Sequence, residues 1–400
     1  MRVLYLSHDG ALDPLGRSQI LPYLVRLSRS TVRVTLLSFE KPAALAQRED
    51  FAQTRAACTS AGVRWTHLQY HRWPPVIATL WDMARGLVCA WWIVQRERIE
   101  VVHARSYVAA CLGVVLKRLT GARLVFDMRE LWVDGRVDIG AWSRGGWLHR
   151  LGKWCERWCL SRSDAVVCLT HAGKEIVERF DCWNAKPPIV VIPTCVDIER
   201  FNHRVSPDNE PTPFQGRRVV VYLGSIVRYR FDAVVDCFKV ATALWPNALL
   251  LVLTPQVDLA RQICLQRGMA STQLEVRMVS HAEVPQYLWG AQVSLYLVTS
   301  SEATRSSCPT KLGESLAAGL PVMTNTGIGD QDALIPTHRV GVLVRAFTLE
   351  EYGRAWQEML ALLAEGESLR ERCRAVARDQ LGIDRGVQAY HRLYQQVCVG

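Results

Sequence analysis

The sequence predicts an α/β protein made of two Rossmann-like domains with mostly parallel sheets facing a central cleft. Three observations carry that expectation. Short apolar runs of strand length alternate with stretches of helical spacing along most of the chain, the pattern of a parallel sheet covered on both faces. The alternation breaks once, at 202–216, where Pro207, Asp208, Asn209, Pro211, Pro213 and Gly216 leave little apolar content, and then restarts at once. That break reads as a linker. The length, 400 residues, exceeds one ordinary domain and suits two that each bury a core. The expected organisation is therefore a first Rossmann-like domain at 1–205, a second at 206–370, and helices at 371–400 packing back toward the first domain.

In order, the first series begins with a buried strand at 3–7, a turn-rich loop at 8–17, a helix at 20–29 with Ile20, Leu21, Leu24 and Leu27 on one stripe, and a strand at 32–38. Helix 51–61, strand 63–68, helix 75–96, strand 101–103, helix 108–120 and strand 122–126 follow. Helix 148–161, strand 165–169, helix 173–180 and strand 189–193 close it. The second series runs strand 219–223, helix 231–245, strand 248–253, helix 258–268, strand 274–278, helix 284–289 and strand 293–298. It ends with helix 311–318, strand 321–324 and a run of helices to the end. Ligands of such sheets bind at the carboxyl ends of the strands.

Composition excludes several classes. The apolar fraction of 49% is that of a globular chain, without the signature of disorder or collagen. Residues 1–7 are apolar but meet His8, Asp9 and Gly10 too soon for a signal peptide, so a cytoplasmic protein is expected. Thirteen cysteines show no paired spacing and read as small buried hydrophobes. Residues 1–200 hold 28 Lys/Arg against 19 Asp/Glu, a balance of +9, and residues 201–400 hold 20 against 19, a balance of +1. The asymmetry suggests an anionic partner or surface for the first half.

The stretch richest in chemistry is Ser306-Ser307-Cys308-Pro309-Thr310-Lys311-Leu312-Gly313-Glu314, continuing to Gly319 and Val322. Pro309 stands where a helix begins. The opening turn offers unpaired N–H groups and a positive dipole end, to which Lys311 adds a cation suited to a diphosphate. Glu314, one turn later, can accept two ribose hydroxyl hydrogen bonds. An ordinary capped helix with a solvated Glu and Lys is the alternative.

This stretch resembles the Glu-containing donor motif of the family 4 glycosyltransferases, a retaining group with the GT-B fold, in the subgroup with a Ser-x-Pro-Thr-Lys-x-x-Glu form. Other segments resemble the same family in the same order: Asp13 to Gln19, Val102 to Tyr107, Phe126 to Arg129, Val191 to Asp197 and Tyr222 to Ser225. The resemblance implies a nucleotide-sugar substrate held mainly by the second domain, with no cofactor and no metal. It implies a glycan or lipid-linked acceptor on the first domain, in cell-surface polysaccharide or glycolipid synthesis, by a hexosyl- or other glycosyltransferase. The donor contacts it implies are Gly16, Gly224, Ser225, Ser307, Pro309, Thr310, Lys311, Leu312 and Glu314, with the turn at Gly327 and Gly329. Arg228 and Arg230 are candidates for the diphosphate. Arg105, Asp127 and Glu314 are the catalytic candidates. Arg105 stands where many relatives carry a histidine, and being no base at neutral pH it suits charge stabilisation. Asp127 and Arg129 face the cleft or form an ion pair with each other. The family often carries a glutamate where this chain has Ser306. A nucleotide-sugar epimerase on the same architecture, or a non-catalytic nucleotide-binding partner of another transferase, remain alternatives.

Asp330-Gln331-Asp332 formally matches a metal-binding acid pair, but it follows a glycine turn where an Asp caps the next helix. Trp142, Trp147, Trp154 and Trp158 are interleaved with Arg144, His149, Arg150, Lys153 and Arg157, a pattern suited to an anionic membrane surface on the inner face; core packing with a solvated basic face is the alternative. Residues 76–95 are also apolar, though Asp82 and Arg85 argue against a transmembrane span. No motif supports nucleic-acid binding.

Overall fold

The computed structural model describes residues 1–183, 185–202, 214 and 216–399. The chain divides into two compact units, one of Met1–Pro193 with Ile383–Gly400 and one of Thr194–Gly382. Most of the proline-rich stretch read as a linker lies outside the described residues. Each unit is an α/β layer structure with a parallel sheet.

The first sheet has seven strands: β1 (Arg2–Ser7), β2 (Arg33–Glu40), β3 (Arg64–Gln69), β4 (Val101–Arg105), β5 (Arg123–Asp127), β6 (Ala165–Cys168) and β7 (Ile189–Val191). Their order is β3-β2-β1-β4-β5-β6-β7, all parallel. β4 and β6 are buried along their whole length, as strands covered on both faces must be; β6 is accordingly a continuous apolar run, whereas β4 buries His103 and Arg105 among its apolar residues. The second sheet has six: β8 (Arg218–Leu223), β9 (Ala248–Leu253), β10 (Leu274–Arg277), β11 (Val293–Leu295), β12 (Val322–Asn325) and β13 (Gly341–Val344). Their order is β10-β9-β8-β11-β12-β13. Its core gathers Tyr222, Phe231, Phe238, Tyr296 and Trp356, all fully buried.

Three local expectations are corrected. β13 lies within the stretch read as helices only. Four residues are too few for a periodic signal, and the strand depends on Gly341, where a Cβ would stand 2.0 Å from the Val322 carbonyl oxygen of β12. The loop read at 8–17 contains a short helix, Pro14–Gln19, with Pro14 in its first turn. Pro309 is the N-cap of the Thr310–Ala317 helix rather than its first residue.

The chain ends split between the units. The Glu367–Leu381 helix packs on the Thr310–Ala317 helix, and the Val196 N–H donates to the Leu381 carbonyl at 2.8 Å, pinning the two ends of the second unit together. The Ile383–Val399 helix belongs to the first unit and packs on the Leu21–Ser28 helix and on β4 and β5. All thirteen cysteines are free thiols, seven of them buried. Burial pushes the Cys168 and Cys264 thiols up to about 12, which makes them inert hydrophobes.

Candidate functional site

In each sheet the strand order reverses once, between β1 and β4 in the first unit and between β8 and β11 in the second. Such switch points open a crevice at the carboxyl ends of the strands. The sequence-predicted residues sort to these two places.

In the second unit, β8 is followed by Gly224, whose φ of +115° no other residue type adopts without strain. Its lack of a side chain has a second use. A Cβ there would stand 3.1 Å from Cε and 3.2 Å from Nζ of Lys311. Lys311, in the first turn of the Thr310–Ala317 helix, is therefore folded against the β8 loop, 5% exposed. Its Nζ lies 3.2 Å from the ring centroid of Tyr229, 4.6 Å from that of Tyr222 and 5.6 Å from that of Tyr296. Among the described residues, no hydrogen-bond acceptor reaches it. Burial pushes the amine well below the ordinary lysine range, while the Glu314 carboxylate pulls the other way. The Tyr222 hydroxyl donates to the Ser225 carbonyl at 2.6 Å, which tightens the turn under the amine.

Glu314 is buried one turn along the same helix, 3.3 Å from His281 Nε2. Arg200 donates to His281 through Nδ1 and through the backbone carbonyl. With Nδ1 accepting, the proton of a neutral imidazole sits on Nε2 and points at Glu314. Arg200 thus orients His281, and His281 orients the carboxylate. Neither residue is marked in the sequence. They lie on the Ile198–Asn202 helix and in the loop after β10, and only the folding of the second unit brings them to Glu314.

The remaining predicted donor contacts divide. Thr310 and Lys311 open the helix, where helix geometry leaves N–H groups without an intrahelical acceptor. The Leu312 side chain lies in the core, and its N–H donates to the Pro309 carbonyl at 3.2 Å. The Ser307 hydroxyl donates to the Thr304 carbonyl at 2.9 Å, and Ser306, also buried, donates to the Ala303 carbonyl at 2.8 Å. Arg228 is exposed on the β8 loop. Arg230 is turned to Asp232, which it grips through Nε at 3.0 Å and Nη2 at 2.9 Å, and covers the Phe347 ring. The Gly327–Gly329 turn has its N–H groups in use, Gly327 on the Asp332 carboxylate at 3.0 Å and Gly329 on the Thr304 carbonyl at 3.1 Å. Asp330 occupies the N-cap position but makes no side-chain capping bond. The carboxylate that organises the turn is Asp332.

In the first unit, Arg105 ends β4 and Asp127 ends β5, in register with each other. Asp127 is fully buried. It lies 3.6 Å from Arg129, 3.3 Å from His103 Nε2 and 3.0 Å from the Tyr390 hydroxyl, and Arg105 stands 4.0 Å away. Burial alone would raise this carboxyl. Arg129, His103 and Arg105 outweigh it and hold Asp127 well below the usual carboxylate range. Burial pushes His103 down, and its Nδ1 is 2.7 Å from the Tyr394 hydroxyl. Arg105 is 2% exposed, and its Nε and Nη1 find no hydrogen-bond acceptor among the described residues. Gly16 is not in a loop with unusual dihedrals. It sits in the Pro14–Gln19 helix, where a Cβ would meet the Gly10 carbonyl oxygen at 2.1 Å. The loop before it is clamped by Glu40, fully buried at the end of β2, which accepts from the N–H groups of Ala11 at 2.7 Å and Leu12 at 3.1 Å. Sequence reasoning missed Glu40 because nothing local separates a buried acceptor from a solvated glutamate.

Comparison with known proteins agrees with this architecture. Residues 18–195 match the glycosyl transferase 4-like domain, a stretch just short of half the chain. No curated protein sequence matches. Among solved structures, sucrose-phosphate synthase from Thermosynechococcus elongatus superposes with a TM-score of 0.74 at 15% identity, covering 99% of both chains. HepE of Anabaena in complex with UDP-glucose gives 0.72 at 12% identity, covering 99% of this chain and 100% of that one. UDP-GlcNAc 2-epimerase from Neisseria meningitidis bound to UDP-GlcNAc gives 0.61 at 9% identity, over 99% and 100%. The chain is thus a two-domain α/β protein of the GT-B-like double-Rossmann fold, with a stretch at 18–195 similar to the glycosyl transferase 4-like domain and a fold it shares with solved transferases and epimerases.

Proposed function

We propose that this protein is a retaining glycosyltransferase that moves a sugar from a nucleotide-sugar to a glycan or lipid-linked acceptor. The donor binds at 206–370 and the acceptor at 1–205. The observation that carries the reading is the pairing of a buried Lys311 amine without an acceptor and an oriented Glu314 carboxylate on one helix at the β8/β11 switch point. A diphosphate supplies the anion that the amine lacks, and a ribose supplies hydroxyls for the free face of the carboxylate. Exposed Arg228 adds a second cation on the donor side. As the sugar leaves, charge grows on the diphosphate, where Lys311 and the helix N-terminus stabilise it. Arg105 ends β4 at the other switch point and supplies positive charge on the acceptor side. The likeness to UDP-GlcNAc 2-epimerases supports a second reading, in which the nucleotide-sugar is isomerised instead.

HepE of Anabaena and the UDP-GlcNAc 2-epimerase from Neisseria meningitidis were solved with UDP or a UDP-sugar bound, so uridine nucleotides are the first to test, beside GDP and ADP. In chelator, the matching nucleoside diphosphate at about a hundred times its Kd is expected to add about 2.7 kcal/mol to stability, read as a raised melting temperature. A shift that needs added metal contradicts a metal-free donor site. Incubation of the corresponding nucleotide-sugar with a lipid-linked acceptor extract then separates the readings. Transfer releases nucleoside diphosphate and lengthens the acceptor, whereas epimerisation needs no acceptor and returns an isomeric nucleotide-sugar.

Glu314→Gln keeps the shape of the side chain and removes its charge. Nucleotide affinity is expected to fall by about 1.5–3 kcal/mol, the range for hydrogen bonds to charged groups, with little change in melting temperature. Titration calorimetry checks this, and unchanged affinity returns Glu314 to a purely structural place in the helix.

A further inference from the structure

The Pro75–Glu97 helix is inverted relative to an ordinary surface helix. Every residue classed as exposed from 76 to 92 is apolar, including Ile77, Leu80, Trp81, Val88, Trp91 and Trp92, which are 43–68% exposed. The inward stripe carries the charge instead. Asp82 is fully buried and accepts from the His71 N–H at 2.8 Å, with His71 Nδ1 at 2.6 Å. The sequence argument that Asp82 interrupts this apolar run therefore does not apply to its outer face.

By length and composition this helix could cross a bilayer. Its packing holds it on the unit: a Cβ at Gly86 would meet Phe39 of β2 at 2.6 Å, and Ala90, Ile93 and Val94 are buried. An apolar stripe of about 24 Å, at 1.5 Å rise per residue, is thus fixed flat on the outside of the first unit. At its carboxyl end the stripe meets a basic pocket of about 580 Å³ lined by Arg2, Arg33, Arg64 and Arg96. Glu97 is the one acidic residue among its described lining residues, and it is held by Arg64 at 2.5 Å and by the Thr35 hydroxyl at 2.5 Å. Four arginines against one glutamate leave an excess of three positive charges. The Arg96 guanidinium lies 4.7 Å from the Trp92 ring centroid, where stripe and pocket join.

We propose that this face docks on an anionic lipid bilayer, with the tryptophan and aliphatic stripe in the headgroup–acyl boundary and the arginine pocket taking lipid phosphate. Charge complementarity selects this occupant. A second copy on the same face would set the same basic excess against itself, whereas an anionic lipid surface offers both the apolar layer and the counter-charge. The Trp147–Arg162 helix flanks the same Ser106–Thr120 helix and adds exposed Trp147 and Trp154. Of the basic residues expected there, Lys153 is committed to Asp134 at 2.7 Å and Glu156 at 2.6 Å, while Arg150 is exposed. This docking is independent of the reaction proposed for the switch-point site.

The test is co-sedimentation of the full chain with phosphatidylcholine vesicles, with and without phosphatidylglycerol, at low and high salt. Anionic vesicles are expected to bind at least about tenfold more tightly than neutral ones at low salt, with part of the binding surviving salt because the apolar term is not screened. Trp81→Ser with Trp92→Ser should lower partitioning about tenfold or more on both vesicle types. Arg33→Gln with Arg96→Gln should abolish the preference for anionic vesicles. Melting temperature and nucleotide-induced shift, measured on the same variants, report folding and the donor site separately. Quenching of parent tryptophan fluorescence by lipids brominated on the acyl chain tests insertion without any variant. Absence of binding and quenching at low salt, equal binding by parent and tryptophan variant, or a solution dimer that the tryptophan variant dissolves would each overturn the proposal.

Discussion

Lys311→Met is expected to make the protein more stable and at the same time unable to hold a nucleoside diphosphate. The amine is buried among three tyrosine rings without a hydrogen-bond acceptor, a position that a thioether of similar length fills without a polar group. Removing an unsatisfied buried polar group recovers about 1–3 kcal/mol, or about 2–4 °C in Tm per kcal/mol for a unit of this size. The sign with pH follows from the lowered amine pKa. Between the folded pKa and the unfolded value near 10.4 the unfolded chain binds more protons, so parent stability rises with pH across that window and the gain from Met narrows. Ligand binding runs the other way. The diphosphate selects the ammonium, so parent affinity falls as pH rises above the folded pKa, and calorimetry in buffers of different ionisation enthalpy shows proton uptake. In Lys311→Met, affinity falls by about ten- to a hundredfold or more, as for a lost charge-assisted hydrogen bond, and the pH slope disappears. A variant that binds like the parent, or that is less stable, removes Lys311 from the donor site.

Asp127→Asn is expected to produce the opposite outcome, a large loss of stability with the donor site intact. Asp127 is the counter-charge of Arg129 and Arg105 in surroundings closed to water, and it accepts from His103 and Tyr390. Leaving buried guanidinium groups without their carboxylate costs about 3–5 kcal/mol. Because the folded-state pKa of Asp127 is depressed, its stabilisation is present above the unfolded value near 3.9 and is lost as pH falls toward the folded value. Urea unfolding at pH 7 and at pH 3 should therefore show a gap between parent and variant that narrows in acid. The nucleotide-induced thermal shift of the second unit should survive. Equal urea midpoints at pH 7 would mean that the cluster does not hold the Ile383–Val399 helix to β4 and β5.

These two residues show where the sequence was legible. Lys311 and Glu314 stand three apart on one helix, so their common face and their place at a helix start follow from spacing alone. The partners that set their chemistry do not. Tyr222, Tyr229, Tyr296, His281 and Arg200 reach them from other strands and loops of the second unit, and no short window contains the set. Asp127 could be placed at a strand end from its apolar run, but not assigned to solvent or core. That depended on Tyr390 and Tyr394, which come from the other end of the chain.

The sequence by itself determined the α/β class, the two series of strands and helices, and the neighbourhood of the Thr310–Ala317 helix, because these rest on periodicity and on contacts a few residues long. Tertiary structure alone decided which charges lost their water. It buried Lys311 without an acceptor among the described residues, buried Asp127 fully, turned Arg230 to Asp232, and faced Asp82 inward so that the exposed residues of the Pro75–Glu97 helix from 76 to 92 are all uncharged. Solvation of a side chain is a property of everything packed around it, and the residues that exclude water from one position are distant in sequence.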